Sequence, residues 1–297
     1  PRLRDEFHEQ AVSLASTAET QLGLAPENVH CLTEKPDREP GTIDARSTME
    51  NLTATFEALT ARVRPGDRVF IVLIGHGSFR SGEARFNLPG PDLTASEIGM
   101  YLASVGDRPL TLILASSSAG GFVEAVSAPN RVIMAATRSG QGNEPRFAGP
   151  LVDALAGDGA DTDKDGRVSM LEAFNYTRIE VERSYSTGNQ LRTEHALLDD
   201  DGDGVGTEEP PVEGGDGAVA AGRFLSPAPP LPALAGSDPI LAGLYEEREE
   251  IRERVNALQS QRASMETEAY QARLEELLVE LALKNREIRA REAGGGP

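Results

Sequence analysis

Val69 to Ile74 is an unbroken apolar run, and Leu110 to Leu114 is a second, interrupted only by Thr111. Both are too short for a core helix and far short of the ~20 residues that span a bilayer. They read instead as strands buried on both faces, the pattern of a parallel sheet covered by helices. The flanking sequence supplies those helices. Leu3 to Leu22 has helical spacing and stops at Gly23. Ser47 with Glu50, and Thr94 with Glu97, have capping-box spacing before helices to about Val63 and Val105. Gly120 to Ser127 begins another helix, Val29 to Glu34 reads as a short strand, and Arg131 to Ala136 as a fourth. Strands alternating with helices predict an α/β fold, a three-layer α/β/α sandwich. Working residues in such sheets lie past the carboxyl ends of the strands.

The rest of the chain divides by composition. Residues 1–209 carry the alternating pattern, and residues 210–238 are a Pro/Gly/Ala-rich linker containing the Pro-rich run 226–232. Residues 239–292 are rich in Glu, Arg, Leu and Ala with heptad-like spacing. Leu244, Ile251 and Leu258 repeat every seven residues, the phase breaks near Ala263, and Tyr270, Leu274, Leu277, Leu281 and Ile288 resume it. This predicts a C-terminal helical hairpin or coiled coil, a candidate for homodimerisation or partner docking. With 48 acidic against 29 basic residues the net charge is −19, which repels phosphate and excludes nucleic acid as a main partner. No run is long enough for a transmembrane segment. Cys31 is the only cysteine, so no disulfide can form within the chain. It lies mid-strand beside His30, a poor place for a nucleophile. The chain opens Pro1-Arg2-Leu3-Arg4 without an initiator methionine, which leaves a processed or truncated start and a removed export signal open.

Two strand ends carry residue types suited to chemistry. Ile74 is followed by Gly75-His76-Gly77, and Leu114 by Ala115-Ser116-Ser117-Ser118-Ala119-Gly120-Gly121. Glycines on both sides expose the imidazole and let backbone approach a ligand. A serine at a strand-to-helix turn has backbone N–H groups nearby to hold an oxyanion. A Ser and a His within hydrogen-bond reach form the minimal activated nucleophile. The bland alternatives are an imidazole without chemistry and a serine-rich helix cap.

These segments resemble the caspase-fold cysteine peptidases, the clan of legumains, caspases, metacaspases and gingipains, over roughly residues 20–185. The resemblance implies a caspase-haemoglobinase type of sandwich. His76-Gly77 matches the clan's catalytic His-Gly, and Ser117 falls where the clan places its nucleophilic Cys. If it is active, Ser117 attacks the scissile carbonyl of a peptide or protein substrate, His76 acts as base and then acid, and the N–H groups of Gly77 and Ser117 hold the oxyanion. Ala115 stands where metacaspases carry an acidic substrate-reading residue. Arg138 and Ser139 fall in the loop that forms the clan's substrate wall, where Arg138 pairs with an acidic substrate group or is simply a solvated arginine. The sequence departs from the pattern in carrying Ser at the nucleophile position, native or replaced, and in leaving only residues 1–3 for the strand that opens the clan's fold. The other reading is a non-catalytic pseudo-peptidase, an interaction or scaffold module working through its C-terminal helices.

The most complete short motif spans residues 161–172. Asp161, Asp163 and Asp165 supply carboxylates at positions one, three and five of a twelve-residue EF-hand loop, and Gly166 makes the turn. Arg167 offers its carbonyl, Ser169 ligates directly or through water, and Glu172 closes the site. Ca2+ is the expected cofactor. A second acidic loop has Asp199, Asp201 and Asp203 at the same positions with Gly204 at the sixth, but Pro210 replaces the closing Glu. It is a weaker site or a solvated acidic turn. Two calcium loops lean towards a periplasmic or extracellular setting, where ambient calcium is high.

Overall fold

The computed structural model describes residues 2–157, 159–163, 166–210, 215–226, 238–260 and 265–294. Its centre is a four-stranded sheet in the order β3-β7-β8-β9, with β3 Val69–Ile74, β7 Leu110–Ala115, β8 Arg131–Ala135 and β9 Leu197–Asp199. β3, β7 and β8 are parallel; β9 joins antiparallel, with Ile133 opposite Asp199. The fold is therefore mixed α/β, and the sheet is not wholly parallel as the alternation suggested.

The second apolar run works as the two-sided burial argument requires, whereas β3, at the sheet edge, is buried only in part because one side of it faces no strand. Every residue of β7 is buried. Leu110, Leu112 and Leu114 face one cluster with Phe56, Ile98, Leu102, Phe122 and Val126. Ile113 and Ala115 face the other, with Leu151, Leu155, Phe174 and Met134. The first cluster belongs to helices α2 Met49–Arg62, α3 Ala95–Ser104 and α4 Val123–Val126; the second to α5 Ala148–Ala156 and α6 Met170–Thr187. Helix α1 Arg2–Thr20 packs on α5 and adds Leu14 to the second cluster. Each fully buried Leu or Ile contributes about 1.5–3 kcal/mol, enough for period-two patterning to fix the register.

Several local expectations need correction. The predicted 29–34 strand contracts to β1 Leu32–Thr33, which pairs with β2 Ala45–Arg46 in a separate two-stranded parallel sheet. The outer edge of β3 instead faces a cavity of about 1830 Å³ lined by α1, residues around Cys31–Thr33 and β3 itself. Thr48, not Ser47, caps α2, accepting from the Asn51 N–H. Thr94 and Glu97 do form the reciprocal capping box of α3. After β3 the chain makes a small antiparallel sheet of β4 Gly77–Arg80, β5 Glu83–Phe86 and β6 Leu93–Thr94, which no sequence signal had suggested.

At the C-terminus, α7 Pro239–Ser260 and α8 Thr267–Gly294 pack as an antiparallel pair. The ion pairs Asp238–Arg291, Glu247–Lys284 and Arg254–Glu280 run in opposite order along the two helices. Asp238 caps α7 through the Ile240 and Leu241 N–H groups. The predicted phase break at Ala263 lies outside the described residues. The pair does not stand away from the sheet domain: α7 touches residues 220–222, and the Arg252 guanidinium lies 4.9 Å from the centre of the Phe224 ring. No described helix is long and apolar enough to cross a membrane.

Candidate functional site

The carboxyl ends of β3 and β7 bring His76 and Ser116–Ser118 side by side. A methyl group placed on Gly77 would meet the Ser117 carbonyl oxygen at 2.1 Å and Ser116 Oγ at 3.0 Å. Only a glycine lets the two strand ends come this close. Ser118 takes the left-handed conformation (φ 56), so the chain reverses sharply out of β7 into the turn of residues 119–122. That turn is stitched to the loop after β8. The N–H groups of Ser118, Ala119 and Gly120 bond to Gln141 O, Thr137 Oγ1 and Thr137 O. Those three donors are therefore committed to holding the turn.

His76 is oriented by a residue that the motif did not foretell. Its Nδ1 lies 2.5 Å from Glu144 Oε1, and its ring meets Phe7 of α1 edge-on at 5.0 Å. An ionised carboxylate only accepts, so Nδ1 carries a hydrogen, and in the neutral imidazole this is the tautomer that leaves the lone pair on Nε2. The imidazole remains partly exposed at 39%. Ser117 is buried, and its Oγ, like that of Ser116, has no hydrogen-bond partner. No hydrogen bond joins His76 to any of the three serines.

The Glu144 loop is itself held. The Arg146 N–H donates to Glu194 Oε2 at 2.8 Å, and the Tyr185 hydroxyl donates to the same carboxylate. Burial pushes Glu194 up to about 7, against the pull of these donors and of Arg146 and Arg192. The folded state thus holds this proton more tightly than the unfolded chain. Glu194 contributes its full stability below the ordinary carboxylate range and loses it as pH rises towards about 7. Glu194→Gln, which cannot ionise, is expected to gain on the order of 2 kcal/mol relative to wild type between pH 4 and pH 8. Urea denaturation of both proteins at the two pH values checks this; parallel pH profiles would exclude a buried charge at Glu194.

The remaining predicted residues are placed as follows. Ala115 is buried in the second core cluster, its side chain turned inward. Arg138 forms an ion pair with Glu208, which also faces Arg192. The Ser139 N–H backs onto Gly120. Cys31 is buried and its thiol is pushed up to about 11 by burial and by Asp44, so it is not a nucleophile near neutral pH.

Two buried acidic clusters could hold a metal ion. Asp161, Asp163 and Glu172 offer carboxylate oxygens within 4.8 Å of one another. Gly166 at φ 80 makes the tight turn between them, and its N–H donates to Asp161 Oδ2. Asp165 lies outside the described residues. Glu172 Oε1 accepts from Thr162 N, Thr162 Oγ1 and Asp163 N, while Oε2 accepts from Ser169 N and Ser169 Oγ. Ser169 is the N-cap of α6, in a capping box with the same Glu172. The Arg167 guanidinium stacks 3.8 Å over Phe224.

The second cluster is Asp199, Asp201 and Asp216. Asp203 is engaged locally, accepting from the Val205 N–H at 2.7 Å. Asp216 comes from the segment read as linker, which is why loop spacing could not find it. Burial pushes Asp199 up to about 6 and Asp200 up to about 7, with Asp216 adding to both. Glu144 was missed for a similar reason: a lone Glu before Pro145 in a polar loop carries no motif.

Compared with known proteins, the chain matches no family model and no curated sequence.

Proposed function

We propose that the chain is a calcium-stabilised hydrolase of caspase-like type that cleaves peptide bonds with Ser117, His76 and Glu144. The observation that carries this reading is the Glu144–His76 pair at the end of β3, with a buried Ser117 hydroxyl that has no hydrogen-bond partner at the end of the adjacent strand β7. Helices on both faces of a sheet with a parallel β3-β7-β8 core agree with a caspase-type sandwich. Glu144 holds the imidazole in the tautomer that leaves Nε2 as base. Substrate entry draws Nε2 and Ser117 Oγ together, a contact that commonly tightens only in the complex. Nε2 takes the hydroxyl proton as Oγ attacks the carbonyl, then returns it to the leaving amine. Gly77 and Ser117 N–H groups remain as oxyanion donors, because those of Ser118, Ala119 and Gly120 are committed. The acyl-enzyme is released by water through the same His76.

Calcium fits the Asp161–Glu172 cluster because its ligand atoms are all carboxylate oxygens lying within reach of one ion. Bound there, the ion supplies charge neutralisation and holds α6 against its loop. It takes no part in the bond cleavage.

A peptide library digested with the protein and read by mass spectrometry tests the hydrolase reading. Cleavage that disappears in Ser117→Ala supports it. Cleavage by Ser117→Cys alone points to an intact site needing a thiol. Silence from wild type and Ser117→Cys together overturns it. The buried state of the Ser117 hydroxyl favours a second reading, a non-catalytic module that uses the α7–α8 pair for partner docking.

A further inference from the structure

Where β9 ends, the chain places carboxylates from two distant segments against one another. Asp199 and Asp201 lie at the end of the strand, and Asp216 returns from the segment that follows. Asp199 is 1% exposed and Asp216 5%. Asp199 Oδ1 accepts from Ser127 Oγ at 3.0 Å, while its Oδ2 is buried without a hydrogen-bond partner. No Lys or Arg among the described residues forms an ion pair with Asp199 or Asp216. A buried carboxylate oxygen left without a donor, as at Asp199 Oδ2, is costly, and a second buried carboxylate beside it adds repulsion. A cation relieves both costs at once.

We propose that Asp199, Asp201 and Asp216 form a divalent-cation site, suited to Ca2+, separate from the Asp161–Glu172 loop. The carboxylate oxygens lie within 4.8 Å of one another. Oxygens sharing one Ca2+, with bonds of about 2.3–2.6 Å, cannot be more than about 5 Å apart, so the set fits without rebuilding. The donors are all hard oxygens, which selects against zinc and copper. Backbone carbonyls and water complete the shell, as is usual for calcium.

The site has a structural consequence. Asp200 lies between two of the ligands and takes the Gly217 and Ala220 N–H groups at 2.8 and 2.7 Å, while its own N–H donates to Asp216 Oδ1 at 3.0 Å. The end of β9 and residues 216–220 are thus already laced together, and the ion locks that lacing. The locked segment runs on to Phe224, on which Arg167 and Arg252 stack. Calcium at Asp199, Asp201 and Asp216 therefore ties the Arg252 stretch of α7, through Phe224, to the sheet. This inference does not rest on the hydrolase reading.

Hydrogen–deuterium exchange of the full chain, in chelator and with added CaCl2, tests it directly. Calcium at about 100 times its Kd is expected to slow exchange about 100-fold in residues 197–205 and 216–224. The Asp161 loop is expected to slow independently. Asp199→Asn with Asp216→Asn is expected to abolish the first effect and keep the second. Asp161→Asn with Glu172→Gln is expected to do the reverse, and Asp203→Asn to leave both. Unchanged exchange at 197–205 and 216–224 in wild type on adding calcium overturns the proposal. So does slowing there that persists in the Asp199/Asp216 variant. If that variant does not fold, the wild-type and Asp161/Glu172 profiles decide.

Discussion

His76→Ala is expected to lower kcat/KM for peptide cleavage by about 10,000-fold while leaving the unfolding midpoint nearly unchanged. The two effects separate because of where the imidazole sits. It is partly exposed, bonded only to Glu144, and touches Phe7 edge-on, so its removal opens no core cavity. Glu144→Gln is expected to cost about as much in kcat, because an amide can donate to Nδ1 and favour the wrong tautomer. The pair therefore gives a sharper answer than the serine alone. A loss in His76→Ala with full activity in Glu144→Gln would leave a dyad and remove Glu144 from the mechanism. Unchanged cleavage in both would remove the proposed site altogether. Steady-state kinetics on a peptide identified from the library, together with a thermal melt of each variant, makes the comparison.

The second large effect is on stability. Glu172→Ala in chelator is expected to destabilise the protein by about 3 kcal/mol, against about 1 kcal/mol for Ser169→Ala. Glu172 alone accepts five donors from two segments: Thr162 and Asp163 on the loop side, and Ser169 at the start of α6. Its removal takes away the cap and strands loop N–H groups, whereas Ser169→Ala removes only the hydroxyl's share. Urea denaturation in EDTA measures both. A cost for Glu172→Ala no greater than that of Ser169→Ala would mean that water replaces the loop donors without loss. Glu172→Gln keeps much of this bonding but not the charge, and is expected to lose calcium stabilisation through this loop. Glu172 thus holds its loop closed in chelator and, in the calcium reading proposed above, is the ligand that would close the site.

Much of this architecture could be read from local pattern. Val69–Ile74 and Leu110–Leu114 announced strands by their continuous apolar character; Leu110–Ala115 became the fully buried central strand, while Val69–Ile74 became the edge strand beside it, buried only in part. Thr94 and Glu97 announced the start of α3, because a capping box is satisfied within four residues. The heptad spacing after Pro239 announced two long helices for the same local reason. The 29–34 segment shows where such reasoning stops. Its apolar residues suited a sheet strand, but only Leu32 and Thr33 found a strand partner, and that partner was Ala45–Arg46. Strand pairing is a choice among distant segments, and no residue within six of its neighbours encodes it.

The site divides in the same way. His76, Gly77 and Ser117 could be proposed from sequence because each belongs to a short motif at the end of an apolar run. Their juxtaposition depends on β3 and β7 being adjacent and parallel, which places Gly77 against the Ser117 carbonyl. Glu144 is 68 residues from His76, Glu208 far from Arg138, and Asp216 beyond a Pro- and Gly-rich stretch from Asp199. Each is an ordinary surface-type residue in its own neighbourhood and acquires a partner only when the chain closes. The sequence by itself determined which segments must be buried, where helices begin, and which loop gathers carboxylates that could hold a metal ion, because hydrophobic period, capping and turn chemistry act over a few residues. Only the tertiary structure decided which carboxylate orients the histidine, which arginine is neutralised and which aspartates share one pocket, because charge and hydrogen-bond complementarity act through space between groups that the chain keeps apart.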